Sequence, residues 1–460
     1  MYVPPIRTLE ASSSGIMNAI RDNASPGYQN DIPIVDDTTE SIQRCGQLIM
    51  AYQPHKNEFV QALVNRIALV SVTSRRYSNP MKWAKKGILE YGDTEEEIFV
   101  AAAEGTPYHP NGTDLDMFKL YKGDIRSAFH SLNFQDYYAV SINDRELRLA
   151  FLSRNGVTDL ISRQVESLYS GMEWDEFIMT KYVLALLALQ GSIYNVPISA
   201  QYDEPSLKAS AVQIKGITNA MQFMSGDYNF AGVPTYTDPS KLYFITTGEF
   251  DAAFDVNVLA SAFNMGKTEF LGRRRMIDSF AFSPLEQTRL AKLLADDPSY
   301  VSFTEAQNNL LKLIKGVALD EAFFRIYDVG PDYFTEQYDA VHLRWNEFLH
   351  VWRIYSASPF NNVVMFSSNT PAVTGVTVTG PATLNAGDNA QYMAKVTGTG
   401  FVPQAVTWSI AAQDGATGLP NINKDSGALT GTTGTSGKFT ITATAVADNS
   451  KAGTLTLTIS

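Results

Sequence analysis

The chain has 460 residues, 45% of them hydrophobic and only 18% charged, with a net charge of −12 and a single cysteine. That length suits two or three domains of roughly 100–200 residues each, and 22 Tyr and 25 Phe on a weakly charged chain leave neutral surface for neighbouring subunits to cover. The acidic balance argues against a face that grips phosphates. Cys45 alone excludes an internal disulfide and a Cys/His metal framework, and no run approaches the ~18 apolar residues of a membrane span.

The opening MYVPPIRTLEASSSGIMNAIRDN has no apolar h-region, so the chain is expected to fold in a cytoplasm without a secretion leader. Residues 1–55 read as an extended arm. Pro4, Pro5, Pro26 and Pro33 and polar clusters at Ser12–Ser14 and Asp36–Glu40 interrupt any long periodicity. Over 56–70, Phe59, Leu63 and Ile67 recur four apart, which predicts a helix.

Residues 72–140 read as a long hairpin. A basic run (Arg75, Arg76, Lys82, Lys85, Lys86) precedes an acidic one (Glu90, Asp93, Glu95, Glu96, Glu97), and a turn-rich tip follows at 105–114. The segment is weakly hydrophobic for its length and is expected to project rather than pack on its own core. An extended hairpin holds its two charge blocks apart. Arg75, Arg76, Lys82, Lys85, Lys86, Glu95, Glu96 and Glu97 are therefore expected to meet opposite charges on adjacent subunits; the alternative is a solvated face.

Residues 157–190 follow helical spacing (Val157, Leu160, Ile161, Val165, Leu168, Met172) up to Gly191, with Gly171 as a candidate joint. From 192 to 340 short helices alternate with short strands, KLYFITT and FFRIYDV among them. This is an α+β layout with a mixed sheet. Residues 341–367 return to strand. At Pro371 the composition turns to Thr, Gly, Ala and Val, with four Lys against four Asp and neither Arg nor Glu. Strict alternation in Val376/Val378, Val406/Trp408/Ile410, Phe439/Ile441/Ala443 and Leu455/Leu457/Ile459 predicts a β-sandwich over 371–460, with Trp408 at its centre, separable from the rest.

Catalytic, cofactor and metal residues are assigned to none of these elements. Gly266-Lys267-Thr268 ends like a phosphate loop, but Ser261 stands where that loop needs glycine. Glu347 and His350 have one Glu-x-x-His spacing where a di-iron site needs two. Asp114/Asp116 and Glu95–Glu97 lie in the charged, solvent-rich hairpin, where nothing raises a carboxyl pKa.

The order of arm, helix, charged hairpin, long helix, α+β domain and late strands resembles the major capsid proteins of tailed phages with the Hong Kong 97-type fold. NEFVQALVNRIALV, NPMKWAKKG followed by TEEEI, FDVNVLASAFNMGKTEFLG with MIDSFA, and HVWRIYSASPFNNVVMFSS running into PAVTGVTV resemble more narrowly the major head proteins of phi-29-like podophages. The resemblance implies an N-arm (1–55), a capsid domain (56–370) and a bacterial group 2 Ig-like domain (371–460). Within the capsid domain it implies an E-loop (72–140), a spine helix (157–190), an axial domain (192–340) and returning peripheral strands (341–367). It implies a virion protein, no enzyme and no cofactor, that forms hexamers and pentamers of an icosahedral head in the host cytoplasm. Scaffolding protein and portal are the implied partners, double-stranded DNA is enclosed without sequence-specific binding, and the Ig-like domain is free to hold a host-surface ligand. The rival readings are a surface adhesin or glycan-binding protein with an Ig-like module, and a head fibre. The clear helix at 157–190 weighs against a fibre.

Overall fold

The computed structural model describes residues 13–69, 77–89, 92, 94–103, 105, 123, 125–143, 150–151, 156–256, 273–297 and 300–460, leaving out the side chains of 63–69 and 156–165. Arg75, Arg76, Asp114, Asp116 and Gly266-Lys267-Thr268 lie outside the described residues. Among those described, no helix is long and apolar enough to cross a membrane.

The first difference from expectation is the arm. Residues 13–51 form three helices, Ser13–Asp22, Pro26–Asp31 and Thr39–Ala51. Pro26 begins a helix instead of breaking one, because the first turn needs no proline N–H. The Ser25 and Thr38 side chains cap the second and third by accepting free backbone N–H groups. Ile16, Ile20, Ile42, Cys45 and Ile49 then bury against Phe59 and Phe151 in a cluster of their own.

The helix Gly156–Leu189 runs 34 residues without a break at Gly171, a rod of about 50 Å. Two five-stranded sheets pack along it. The first is centred on the 14-residue strand Arg344–Ala357, which pairs antiparallel with Phe134–Asn143, Tyr333–Asp339 and Phe324–Val329. Lys85–Leu89 joins its edge in parallel with Phe324–Val329, so the expected hairpin base belongs to this sheet. The hairpin itself is Thr94–Val100 paired with Ile125–Ser131.

The second sheet has the order Tyr194–Pro197, Val363–Ser367, Ile314–Asp320, Leu242–Thr247, Arg273–Ile277. Val363–Ser367 therefore leaves the first sheet, although the sequence reading groups it with Arg344–Ala357. Its five residues are all buried, as expected of a strand covered on both faces. One face carries Tyr243, Ile245, Val317 and Met365 into the main core with Phe177, Ile178 and Ala185 of the long helix. The other carries Phe244, Ala318, Val364 and Phe366 against Leu207, Ala211 and Ile214 of the helix Glu204–Ala220.

Beyond Pro371 the chain is all strand and turn, and Val406–Ala412, Gly437–Ala445 and Ala452–Ile459 pair consecutively. Trp408 is buried among Tyr392, Leu429, Phe439, Ile441 and Leu457. Phe401 of this segment is buried in the main core.

Candidate assembly surface

The hairpin charges have partners inside their own subunit. The long helix carries Glu173 and Glu176 on its buried face. The backbone N–H of Asn79 donates to Glu173 Oε2 and its amide donates to Glu176 Oε1, both at 2.9 Å. Lys82 reaches Glu173 at 3.4 Å. Lys85 lies 3.3 Å from Glu176 and 2.7 Å from Asp328. Arg353, 1% exposed, sits 3.0 Å from Glu176 and 2.9 Å from Asp328. Two cations thus meet two anions in a largely buried knot, and removing one member would strand the others. Lys86 donates to the Glu321 carbonyl. Burial depresses its ammonium pKa, with Glu321 pulling the other way.

The acidic block divides by strand parity. Successive residues of Thr94–Val100 alternate between faces, and their exposure follows that alternation. Glu95 and Glu97 turn inward to Arg325. Arg325 lies 3.4 Å from Glu95 and pairs with Glu97. The Tyr327 hydroxyl donates to Glu95 at 2.7 Å. Glu97 also accepts from Ser358 Oγ at 2.9 Å and Asn361 Nδ2 at 3.2 Å, and its Oε2 lies 3.3 Å from His130 Nε2. Burial alone would raise the Glu97 pKa, but the His130 bond, the Arg325 charge and the Ser358 bond outweigh it, and the carboxyl sits below its ordinary range.

Lys82, Lys85, Lys86, Glu95 and Glu97, expected to meet charges on adjacent subunits, have partners within their own subunit. The blocks are not held apart in solvent, because the first sheet and the long helix run beneath them. Arg325, Arg353, His130 and Glu176, the residues that satisfy them, escaped the sequence reading. The available signal was a lone charge among buried strand positions, as at Arg353 in HVWRIYSA.

Glu96 alone of the three faces away. Its side shares the outer face of the hairpin with Ile98, Val100, Ile125 and Phe129, which are 58%, 61%, 65% and 66% exposed. The register places Glu96 opposite Phe129 and Val100 opposite Ile125. Four large apolar side chains on one small ribbon form a patch of the kind that marks an interaction site.

A sheet-and-long-helix body carrying such a ribbon matches a known class of protein. The capsid structure of Staphylococcus phage Andhra aligns with a TM-score of 0.50 at 13% identity, over 66% of this chain and 86% of that one. The fold is the mixed α+β fold of tailed-phage capsid proteins. The major capsid protein of Bacillus phage B103 is 29% identical over 442 residues, covering 94% of this chain and 90% of the relative. That of Bacillus phage GA-1 is 31% identical over 361 residues, covering 77% and 69%. The family model described as "Phi29-like phage major capsid protein" matches residues 17–367. The chain belongs to that family. It is a phage major capsid protein, a virion structural protein that assembles with copies of itself into a capsid.

Proposed function

We propose that this subunit builds an icosahedral head of hexamers and pentamers through the outer face of its hairpin. The observation that carries this reading is the division of the ribbon: Glu95 and Glu97 clamp its inner face to Arg325, while Ile98, Val100, Ile125 and Phe129 remain exposed. The clamp holds the ribbon in shape, and the apolar face is what a neighbouring copy covers. Glu96 on that face, like the largely exposed Lys82, is left for a contact between subunits.

In this reading the body is the Hong Kong 97-type fold. The Phe134–Asn143 and Arg344–Ala357 strands and the long helix form its peripheral part, and the second sheet its axial part. Residues 371–460 are an Ig-like domain, free for a host-surface ligand. The match to the B103 relative supports treating that segment as part of the same protein, since 94% of the chain runs past residue 367. Scaffolding protein and portal are the partners during assembly in the host cytoplasm. The net charge of −12 suits a container that encloses double-stranded DNA without gripping it. The role is structural, with no catalytic step.

Ile98→Glu combined with Phe129→Glu tests the reading. Both side chains lie outside the clamp, so circular dichroism should match the wild type while sedimentation and negative-stain microscopy show no particles. Normal particles at normal yield would remove the hairpin face from the assembly contact.

A further inference from the structure

Two carboxylates in the middle of the first sheet stand apart from the hairpin chemistry. Glu336 and Glu347 are directly opposed on the antiparallel strands Tyr333–Asp339 and Arg344–Ala357, so their Cβ atoms are about 4.5–5.5 Å apart. Glu347 has 0% exposure. Among the described residues, both of its carboxylate oxygens and Oε2 of Glu336 are buried without a hydrogen-bond partner, and so is the indole Nε1 of Trp345 two residues along.

The surroundings supply little compensation. Val140 faces Glu347 from the other neighbouring strand. Leu349, Val351 and Met172 of the long helix lie to one side. To the other, Ile142 and Trp345 belong to the cluster that the N-terminal helices build. Among the described residues, titratable groups that face this region include Tyr338 beside Glu336, Tyr138 on the Phe134–Asn143 strand, Tyr169 on the long helix and Lys56 on the helix Gln53–Leu69, whose Nζ lies 5.3 Å from the Tyr338 ring centre.

Two opposed, buried carboxylates cannot both remain ionised at low cost, since burial and like charge each favour the neutral form. One proton resolves the arrangement. A protonated Glu347 loses its charge, gains an O–H to donate to Glu336, and keeps an oxygen for which the unpartnered Trp345 N–H is a donor, directly or through one water. We propose that Glu336 and Glu347 share a proton and form a latch that fastens the first sheet to the long helix and the N-terminal helices, and that loss of the proton loosens this joint.

The direction of the titration agrees. Burial, and then the Glu336 charge, push the Glu347 carboxyl up to about 8, and burial raises Glu336 as well. The unfolded carboxyl titrates near ~4.3. Between those values the native state holds a proton that the unfolded state has released. The joint is therefore most stable below about pH 4 and loses stability as pH rises towards about 8, by at most about tenfold in the opening equilibrium per pH unit for one proton. Both carboxyls lie inside one subunit, so the latch does not depend on the hairpin contact.

The test is amide hydrogen exchange of the full-length chain, corrected for intrinsic rates, over 13–51 and 344–350 between pH 6 and pH 9. Wild-type protection should fall by on the order of tenfold per pH unit up to about pH 8. Glu347→Gln copies the neutral acid and should keep its protection at pH 9. Glu336→Gln removes the like charge and should move the midpoint down, which also serves if the first variant does not fold. A Glu347→Gln chain that loses protection in parallel with the wild type, or a Glu336→Gln chain with an unmoved midpoint, would overturn the latch.

Discussion

Phe401 is the residue whose removal most directly asks whether the C-terminal segment is a passenger. It is 2% exposed and belongs to the main core, whose other members include Ala188, Ile193, Ile314 and Met365. The loop that carries it is held firmly. The Phe401 N–H donates to Asn369 Oδ1 at 3.0 Å. The Gln404 amide accepts from the Val396 N–H at 3.0 Å and donates to the Val396 and Val402 carbonyls at 3.1 and 3.0 Å. At the end of the long helix, Gly191 has φ +72, and a Cβ there would stand 2.2 Å from the Val402 carbonyl oxygen. Truncating a buried Phe to Ala costs about 3–5 kcal/mol, and ending the chain at Thr370 also removes the Phe401 N–H that bonds Asn369, about 1 kcal/mol more. A domain has only about 5–15 kcal/mol in all. At about 2–4 °C per kcal/mol for roughly 150–250 residues, and less for a larger body, the main melting transition should fall by about 5–10 °C. Calorimetry of Phe401→Ala and of a chain ending at Thr370 should show that fall in both. Gly191→Ala should approach them, because backbone has to move to admit the new methyl. A Thr370-truncated chain whose main transition is unmoved would refute the anchoring and support the separable domain of the sequence reading.

Two further outcomes follow from other contacts. Trp408→Ala should unfold the C-terminal segment in a separate, earlier transition, since a buried Trp is worth about 3–5 kcal/mol and Trp408 shares its core with none of the main-core residues, while the main transition falls by no more than in the Thr370-truncated chain; near-ultraviolet circular dichroism and calorimetry together read this. The hairpin clamp should fail in acid: the native Glu97 pKa is depressed, so its stabilisation is complete above ~4.3 and is lost as pH falls through the lower native value. Arg325→Met should free the hairpin already at neutral pH, visible as faster exchange over 94–100 than in the wild type.

The long helix, the alternating strands after Pro371 and the burial of Trp408 were legible because each is a local pattern. Apolar positions three and four apart, or every second residue, need no knowledge of what they pack against. The N-terminal helices were missed for a local reason as well. Their prolines and polar residues sit at helix starts, where they cap, and at 1–55 the punctuation outweighed the short apolar spacing of Ile16/Ile20 and Ile42/Cys45/Ile49. The departure of Val363–Ser367 to the second sheet had no local signal at all, because partner choice between two sheets is a matter of tertiary packing.

The charge blocks show where local reading stops. TEEEIFV already contains the split between Glu95, Glu97 and Phe99 on one face and Glu96, Ile98 and Val100 on the other, since a strand alternates. Reading the three glutamates as one block discards that information. What the sequence does not contain locally is Arg325, 228 residues beyond Glu97. An inward-facing charge on a strand is a demand for a partner somewhere in the chain or its neighbour, because an unpaired one is too costly to bury. Arg325 meets that demand for Glu95 and Glu97, and Glu176 with Asp328 meets it for Arg353 and Lys85. Among the described residues Glu347 has a demand that no side chain meets, and a proton is the smallest thing that can.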